Sequence, residues 1–231
     1  MKLNTNSNIY TFVYMTVVVI IVAVLLALAN QSLKPRQEAN ILLDKQKQIL
    51  GALKVDYTNA DPAEVYYTLV NDTLTYGEQE VYVANLNGAT KYILPLSGKG
   101  LWGGIGGYLA LDEDKNTIYG VNFNHESETP GLGAKIVEPE FRSQFEGKHI
   151  RNAEGAVVSV AVLKAGKHAE GQEQVDAISG ATITSSRVST MLEVNLGEYA
   201  EFLKQCQTGE AVQTAESVQT GEAVQTKEAE L

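Results

Sequence analysis

Hydrophobic and polar positions alternate along this chain in four distinct ways. Residues 10–29 are apolar apart from Thr11 and Thr16, and no charge occurs between Lys2 and Lys34. A run of about 20 such residues spans a bilayer core as a helix. Ala27-Leu28-Ala29 could mimic a cleavage site, but the apolar run is longer than a signal peptide's. Residues 30–54 mix charge with Ile41, Leu42, Leu43, Ile49 and Leu50 among good helix formers, which predicts a juxtamembrane helix or stalk with Pro35 in its first turn. From residue 55 the pattern becomes strand-like. Val65-Tyr66-Tyr67-Thr68-Leu69-Val70 is rich in strand formers. Val81–Leu86 and Ala89–Leu94 flank Asn87-Gly88, a strong hairpin signal. Tyr108–Leu111 and Thr117–Phe123 flank a polar turn at 112–116 and predict a second hairpin. Glu138–Phe145 predicts a short helix, and Ala156–Leu163 an apolar strand. Val188, Met191, Leu192, Leu196, Tyr199 and Leu203 then recur at helical spacing and predict a long helix over 184–204 with one buried face.

Hairpins dominate, with helices interspersed. The predicted class is therefore α+β, with a largely antiparallel sheet and packed helices, preceded by one N-terminal transmembrane helix. The segments are 1–9, a short N-terminus; 10–29, the span; 30–54, the stalk; 55–206, the domain; and 207–231, a tail. In the tail, Gln207–Thr214 recurs as Gln219–Thr226. Low hydrophobicity and Glu210, Glu216, Glu222, Glu228 and Glu230 against Lys227 predict disorder there.

Charge and composition narrow the chemistry. The net charge is −10, from 18 basic and 28 acidic residues, with no basic patch of the kind nucleic acid requires. Cys206 is the only cysteine, so an internal disulfide or a Cys-rich metal site is not expected, and His125, His149 and His168 lack ligand spacing. No metal site is predicted. The glycines at 103–107 do not fit the dinucleotide-binding spacing.

The most informative stretch is Val175–Ser186. Between Ile178 and Glu193, Ser179, Thr182, Thr184, Ser185, Ser186, Ser189 and Thr190 make a hydroxyl-rich start to the predicted helix, and Gly180 supplies a turn. A helix start offers free amides and the positive end of the dipole, which suit a phosphate; equally, Ser and Thr serve as plain caps. Thr184, Ser185 and Ser186 are expected to be capping groups.

Asp176-Ala177-Ile178-Ser179-Gly180-Ala181-Thr182 resembles the flavinylation motif of FMN-binding domains. His125–Gly133 resembles that family's H-x-E-T-P-G-L-G loop, with one extra residue after the histidine. Gly98-Lys99-Gly100-Leu101-Trp102-Gly103 resembles its glycine–tryptophan loop. The membrane anchor before this domain resembles the C-type subunits of sodium-translocating NADH:quinone reductases, with the G-type subunits of Rnf complexes as a relation and a second possibility. A membrane-anchored module holding FMN without a covalent bond is a third.

The resemblance implies an electron-relay component of a complex coupling NADH oxidation and quinone reduction to sodium export. It implies FMN as cofactor, phosphoester-linked to Thr182. Asp176 belongs to the sequence a flavin transferase reads, and Ser179, Gly180 and Ala181 shape the turn. Leu101, Trp102 and Gly103, with Glu128, Thr129, Gly131, Leu132 and Gly133, are the expected surroundings of the flavin. Implied partners are the other subunits of a six-subunit membrane complex and, during maturation, the flavin transferase. NADH and quinone would bind elsewhere. A count of Lys34, Arg36, Lys45 and Lys47 against Lys2 would place the domain in the cytoplasm. The resemblance implies the opposite: a single-pass protein of the bacterial inner membrane with its flavin domain in the periplasm.

Overall fold

The computed structural model describes residues 8–164 and 166–204. The chain divides into two compact units, with the boundary between Thr68 and Leu69. The expectations for Cys206 and for the tail at 207–231 lie outside the described residues.

In the first unit, α1 (Asn8–Ala52) is one continuous helix of 45 residues. At about 1.5 Å per residue it exceeds twice the ~30 Å of a bilayer core. An 18-residue window of it reaches a mean hydropathy of 3.0 with no buried residue, so it is long and apolar enough to cross a membrane. Pro35 sits inside the helix and not in the first turn of a new one. It removes one backbone bond, to the Gln31 carbonyl, where the chain is exposed. Toward its end the helix buries Gln46, Ile49, Leu50 and Ala52.

The run Val65–Val70 is not a strand. α2 (Pro62–Leu69) is a helix, and the strand begins only at Val70. The reason is local. The Asp61 carboxylate accepts the Ala63 amide at 3.0 Å, the Asp61 carbonyl accepts the Val65 amide at 3.1 Å, and Pro62 is pre-set for the first turn. A well-capped start outweighs a β-propensity that reflects mainly packing context.

The second unit is built on a five-stranded antiparallel meander: β1 (Val70–Tyr76), β2 (Gln79–Leu86), β3 (Ala89–Lys99), β4 (Gly104–Leu111) and β5 (Ile118–His125), each paired with the next. The β2–β3 turn is the predicted one. Asn87 and Gly88 both take positive φ, 54° and 84°, as a two-residue primed turn requires. The polar β4–β5 turn is tied by Asp114, whose Oδ1 accepts the Asn116 and Thr117 amides at 2.9 and 2.8 Å.

After β5 come a 3₁₀ turn (Gly133–Val137), the short helix α3 (Pro139–Arg142) and a second 3₁₀ turn (Ser143–Phe145). Of the apolar stretch 156–163 only β6 (Ala161–Val162) is strand, and it pairs in parallel with β7 (Gln174–Val175). Val157 makes an isolated bridge to Arg151, and Ser159 takes a positive φ of 68°, which interrupts the extended run. α4 (Thr182–Glu198) and α5 (Ala200–Lys204) replace the single predicted helix, and Tyr199 (φ −85°, ψ 6°) separates them. The predicted face at 188, 191, 192, 196, 199 and 203 is buried throughout.

α4 packs on β3. The Asn195 side chain behaves like a strand edge: its Oδ1 accepts the Ser97 amide and its Nδ2 donates to the Ser97 carbonyl, both at 2.9 Å. Gly98 faces Met191 so closely that a Cβ there would press on the methionine side chain. This close approach brings the start of α4 beside the β3–β4 loop. The core between sheet and helices joins Leu94, Leu96, Leu109 and Phe123 with Phe141, Phe145, Val188, Leu192 and Leu196.

Candidate functional site

Three segments far apart in sequence meet at the N-terminal end of α4. They are the β3–β4 loop, the loop after β5, and the turn at 176–181. A cleft of about 250 Å³ lies among them, lined by Leu101, Glu128, Thr129, Leu132, Gly133, Gly180, Ala181, Thr182, Ile183 and Thr184. Eight of these are candidates by sequence. Ile183 and Thr184 are not, and enter the cleft only through the fold.

Glu128 joins the three segments. It is 4% exposed, and its Oε1 accepts the Leu101 and Trp102 amides at 2.7 and 3.0 Å. Its Oε2 accepts the Thr184 hydroxyl at 2.7 Å. One carboxylate thus holds the tryptophan loop to the first turn of α4. The glycines beside it leave the carboxylate room. A Cβ on Gly100 would collide with Glu128 Oε1, and one on Gly133 with Glu128 Oε2 and Thr184 Oγ1. Burial pushes the Glu128 carboxyl up. The hydrogen bonds from Thr184, Trp102 and Leu101, with the charge of His125, outweigh that and hold it below the usual carboxylate range. His125 Nδ1 is itself buried without a hydrogen-bond partner.

The start of α4 carries no side-chain cap. Its N-cap is Ala181, and no side chain bonds the first amides. The expected capping hydroxyls do not cap, because they lie within the helix and a cap must precede it. Thr184 donates to Glu128, Ser185 Oγ accepts the Ile178 amide at 3.1 Å, and Ser186 is exposed. The first intrahelical bond visible at this end runs from the Ser185 amide to the Ala181 carbonyl at 2.9 Å. The amides of Thr182, Ile183 and Thr184 therefore stand at an open, partly positive helix end. Gly180, at φ 77°, turns the chain into it, and Thr182 is exposed at the cleft wall.

Apolar side chains rim the cleft in contact with solvent. Ile183, Leu101 and Leu132 line it and are about half exposed, and Trp102, next to Leu101 in the same loop, is 69% exposed. Large apolar groups at one cleft suit a flat apolar ligand. The cleft therefore offers the pieces FMN requires: an apolar rim for a ring, glycines that keep backbone close, an open helix end for a phosphate, and an exposed threonine hydroxyl between them.

Not every predicted residue lines the cleft. Trp102, Gly103 and Gly131 belong to its loops, and Ser179 is exposed in the turn before α4. Asp176 has its own partners. The Ala169 amide donates to Oδ1 at 2.6 Å, and His168 Nδ1 lies 3.3 Å from Oδ2. The Ala169 bond first, then His168, hold this carboxyl below the usual range. By sequence His168 only lacks ligand spacing; its pairing with Asp176, eight positions on, appears in the fold. Among the described residues no cluster of His, Cys, Asp or Glu could hold a metal ion.

Comparison with known proteins places these features in context. Residues 100–196 match the FMN-binding domain family. The chain is 28% identical over 231 aligned positions to the C-type subunit of the Na(+)-translocating NADH-quinone reductase of Vibrio alginolyticus, covering 80% of this chain and 90% of that one. It is 36% identical over 134 positions to the C-type subunit of Pasteurella multocida, covering 56% and 51%. The crystal structure of the C-type subunit from Parabacteroides distasonis superposes with a TM-score of 0.69 at 40% identity, covering 74% of this chain and 96% of that one. NqrC of Shewanella oneidensis, at 23% identity and a TM-score of 0.59, shares the fold over 70% and 95%.

Proposed function

The chain belongs to the family of C-type subunits of the Na(+)-translocating NADH-quinone reductase, and from that premise we propose that it carries electrons on an FMN esterified through its phosphate to Thr182. The observation that carries this reading is the cleft at the start of α4. There an exposed Thr182 hydroxyl, uncapped helix amides and an apolar rim converge.

When bound, FMN supplies the redox chemistry, and the protein's part is to hold, orient and shield it. Thr182 Oγ is the ester oxygen. The amides at the start of α4 face the remaining charge of the diester. Leu101, Trp102, Leu132 and Ile183 present apolar surface to the ring. Glu128 acts through its neighbours: with three protein donors on its carboxylate, it positions the Trp102 loop against α4 and is not assigned a cofactor contact. Thr129 and the backbone at Leu132 and Gly133, which line the cleft, are assigned to the flavin edge. Asp176, held by Ala169 and His168, is displayed for the transferase that attaches the flavin. A tether at one threonine prevents loss of the cofactor in any redox state, which suits a relay between fixed neighbours.

The proposal extends to the assembly. α1 anchors the chain once in the bacterial inner membrane, with the flavin domain in the periplasm. The other subunits of a six-subunit sodium-exporting complex supply the NADH and quinone sites.

The test is flavin fluorescence of the denatured band together with mass spectrometry of the peptide containing Thr182. The expected result is a fluorescent band bearing an added FMN phosphoryl group at Thr182, absent in Thr182→Ala. Fluorescence that persists in Thr182→Ala moves the attachment elsewhere. Flavin that washes out on denaturation leaves only non-covalent binding.

A further inference from the structure

A second and larger cleft adjoins the first. It has a volume of about 450 Å³ and lies between β6 and α4, lined by Val162, Leu163, Lys164, Thr182, Ile183, Ser186, Arg187, Ser189 and Thr190. Thr182 and Ile183 line both clefts and so form their shared wall. The two clefts differ in chemistry. The smaller one is rimmed by Leu101, Leu132 and Ile183 and contains the buried Glu128 carboxylate. The larger contains Lys164 and Arg187 and no acidic residue. Both cations are exposed, and no hydrogen bond or ion pair to a described residue holds either head group. In a chain of net charge −10, two cations at one cleft without a counter-ion among the described residues are conspicuous. Ser186 and Ser189 add hydroxyl donors along the same face of α4, while Thr190 already donates to the Ser186 carbonyl.

We propose that the cleft between β6 and α4 is an anion site for the phosphodiester carried on Thr182, with Lys164 and Arg187 as its counter-ions. The inference rests on the reading that FMN is esterified at Thr182. It adds a division of labour across that residue. The ring goes to the apolar, carboxylate-bearing cleft, while the phosphate turns toward the cationic one. Arg187 offers a planar fork that can take two phosphate oxygens, and Lys164 a point charge from the opposite wall. Both are exposed and pair with no described residue, so their substitution isolates the electrostatic role.

The test is phosphorus NMR on the full-length, flavin-loaded chain in detergent. Wild type, Lys164→Gln and Arg187→Gln are compared with Lys167→Gln, which removes an exposed cation outside the cleft. The expected result is a displaced phosphodiester line in Lys164→Gln and in Arg187→Gln, return toward the wild-type position in Arg187→Lys, and no displacement in Lys167→Gln. A line that stays in place in both cleft variants, or that moves as far in Lys167→Gln, overturns the anion site while leaving the Thr182 ester intact. A loaded protein with no phosphodiester line, whose flavin separates on denaturation, overturns the ester and this site with it.

Discussion

At the scale of single residues, the arrangement of the site depends on Glu128. Its carboxylate terminates two loop amides and one hydroxyl, so truncation leaves three donors without an acceptor. Each unsatisfied buried donor costs about 1–3 kcal/mol, and water relieves part of that at the exposed loop. Glu128→Ala is expected to lower stability by about 2–4 kcal/mol, and Glu128→Gln by less, since an amide oxygen can still accept. Trp102 is the only tryptophan, so its fluorescence reports on this loop alone. Its anisotropy should fall in Glu128→Ala in step with the loss of stability in urea. Unchanged anisotropy would show that the loop is held by something else. The pH dependence has a definite sign. The folded carboxyl lies below its unfolded value, near 4.3. Its contribution is present above that pH and is lost as pH falls through the folded value. Glu128→Gln should therefore differ most from wild type at neutral pH and converge with it in acid. The residues of this latch are only half legible in sequence. Glu128 and the glycines stand in a recognisable motif, but Thr184 bonds Glu128 from 56 positions away. Spacing along the chain carries no trace of that pairing.

At the scale of elements, signals that fix local dihedrals predict the structure and those that express preference do not. Asn87-Gly88 demands a primed turn, and β2 and β3 follow from it. Val65–Val70 expresses only a preference, and the Asp61-Pro62 start makes it helical. The apolar face of α4 is legible because burial is periodic, whereas its end at Glu198 is not, because Tyr199 is placed by the sheet: its hydroxyl donates to the Pro95 carbonyl at 3.2 Å. Glycines allow the same distinction to be measured. Gly77 takes φ 63° with nothing within 4 Å of an added Cβ, so Gly77→Ala bears only the left-handed cost, about 1–2 kcal/mol. Gly107, in the middle of β4, takes φ 146°, and a Cβ there would be driven into the Asn122 carbonyl of β5. Backbone cannot swing aside as a side chain can. Gly107→Ala should cost about 3–5 kcal/mol, combining dihedral strain with overpacking. Denaturant unfolding of the two variants checks the difference. Equal costs would mean that β4 and β5 separate easily, and that the sheet behind the tryptophan loop is softer than its pairing suggests.

At the scale of the whole molecule, the proposed relay role has a consequence that NADH itself can test. A dinucleotide site needs a glycine-rich loop running from a strand into a helix, so that the helix end receives the pyrophosphate. Here the glycine-rich loop at 98–104 runs from β3 into β4, a strand, and its amides at Leu101 and Trp102 are already taken by Glu128. The helix end that is open, at Thr182, lies at the cleft assigned to the chain's own flavin. The spacing of Gly103–Gly107 carries the negative half of this argument in sequence alone; the positive half requires seeing that the loop continues the meander. The purified, flavin-loaded chain is therefore expected to be reduced by dithionite but not by NADH. Stopped-flow absorbance near the oxidised-flavin maximum measures this directly. Bleaching by dithionite alone assigns NADH oxidation to other subunits. Stoichiometric NADH that bleaches the flavin within seconds would mean that this chain accepts hydride itself, and that its role is dehydrogenase and not relay.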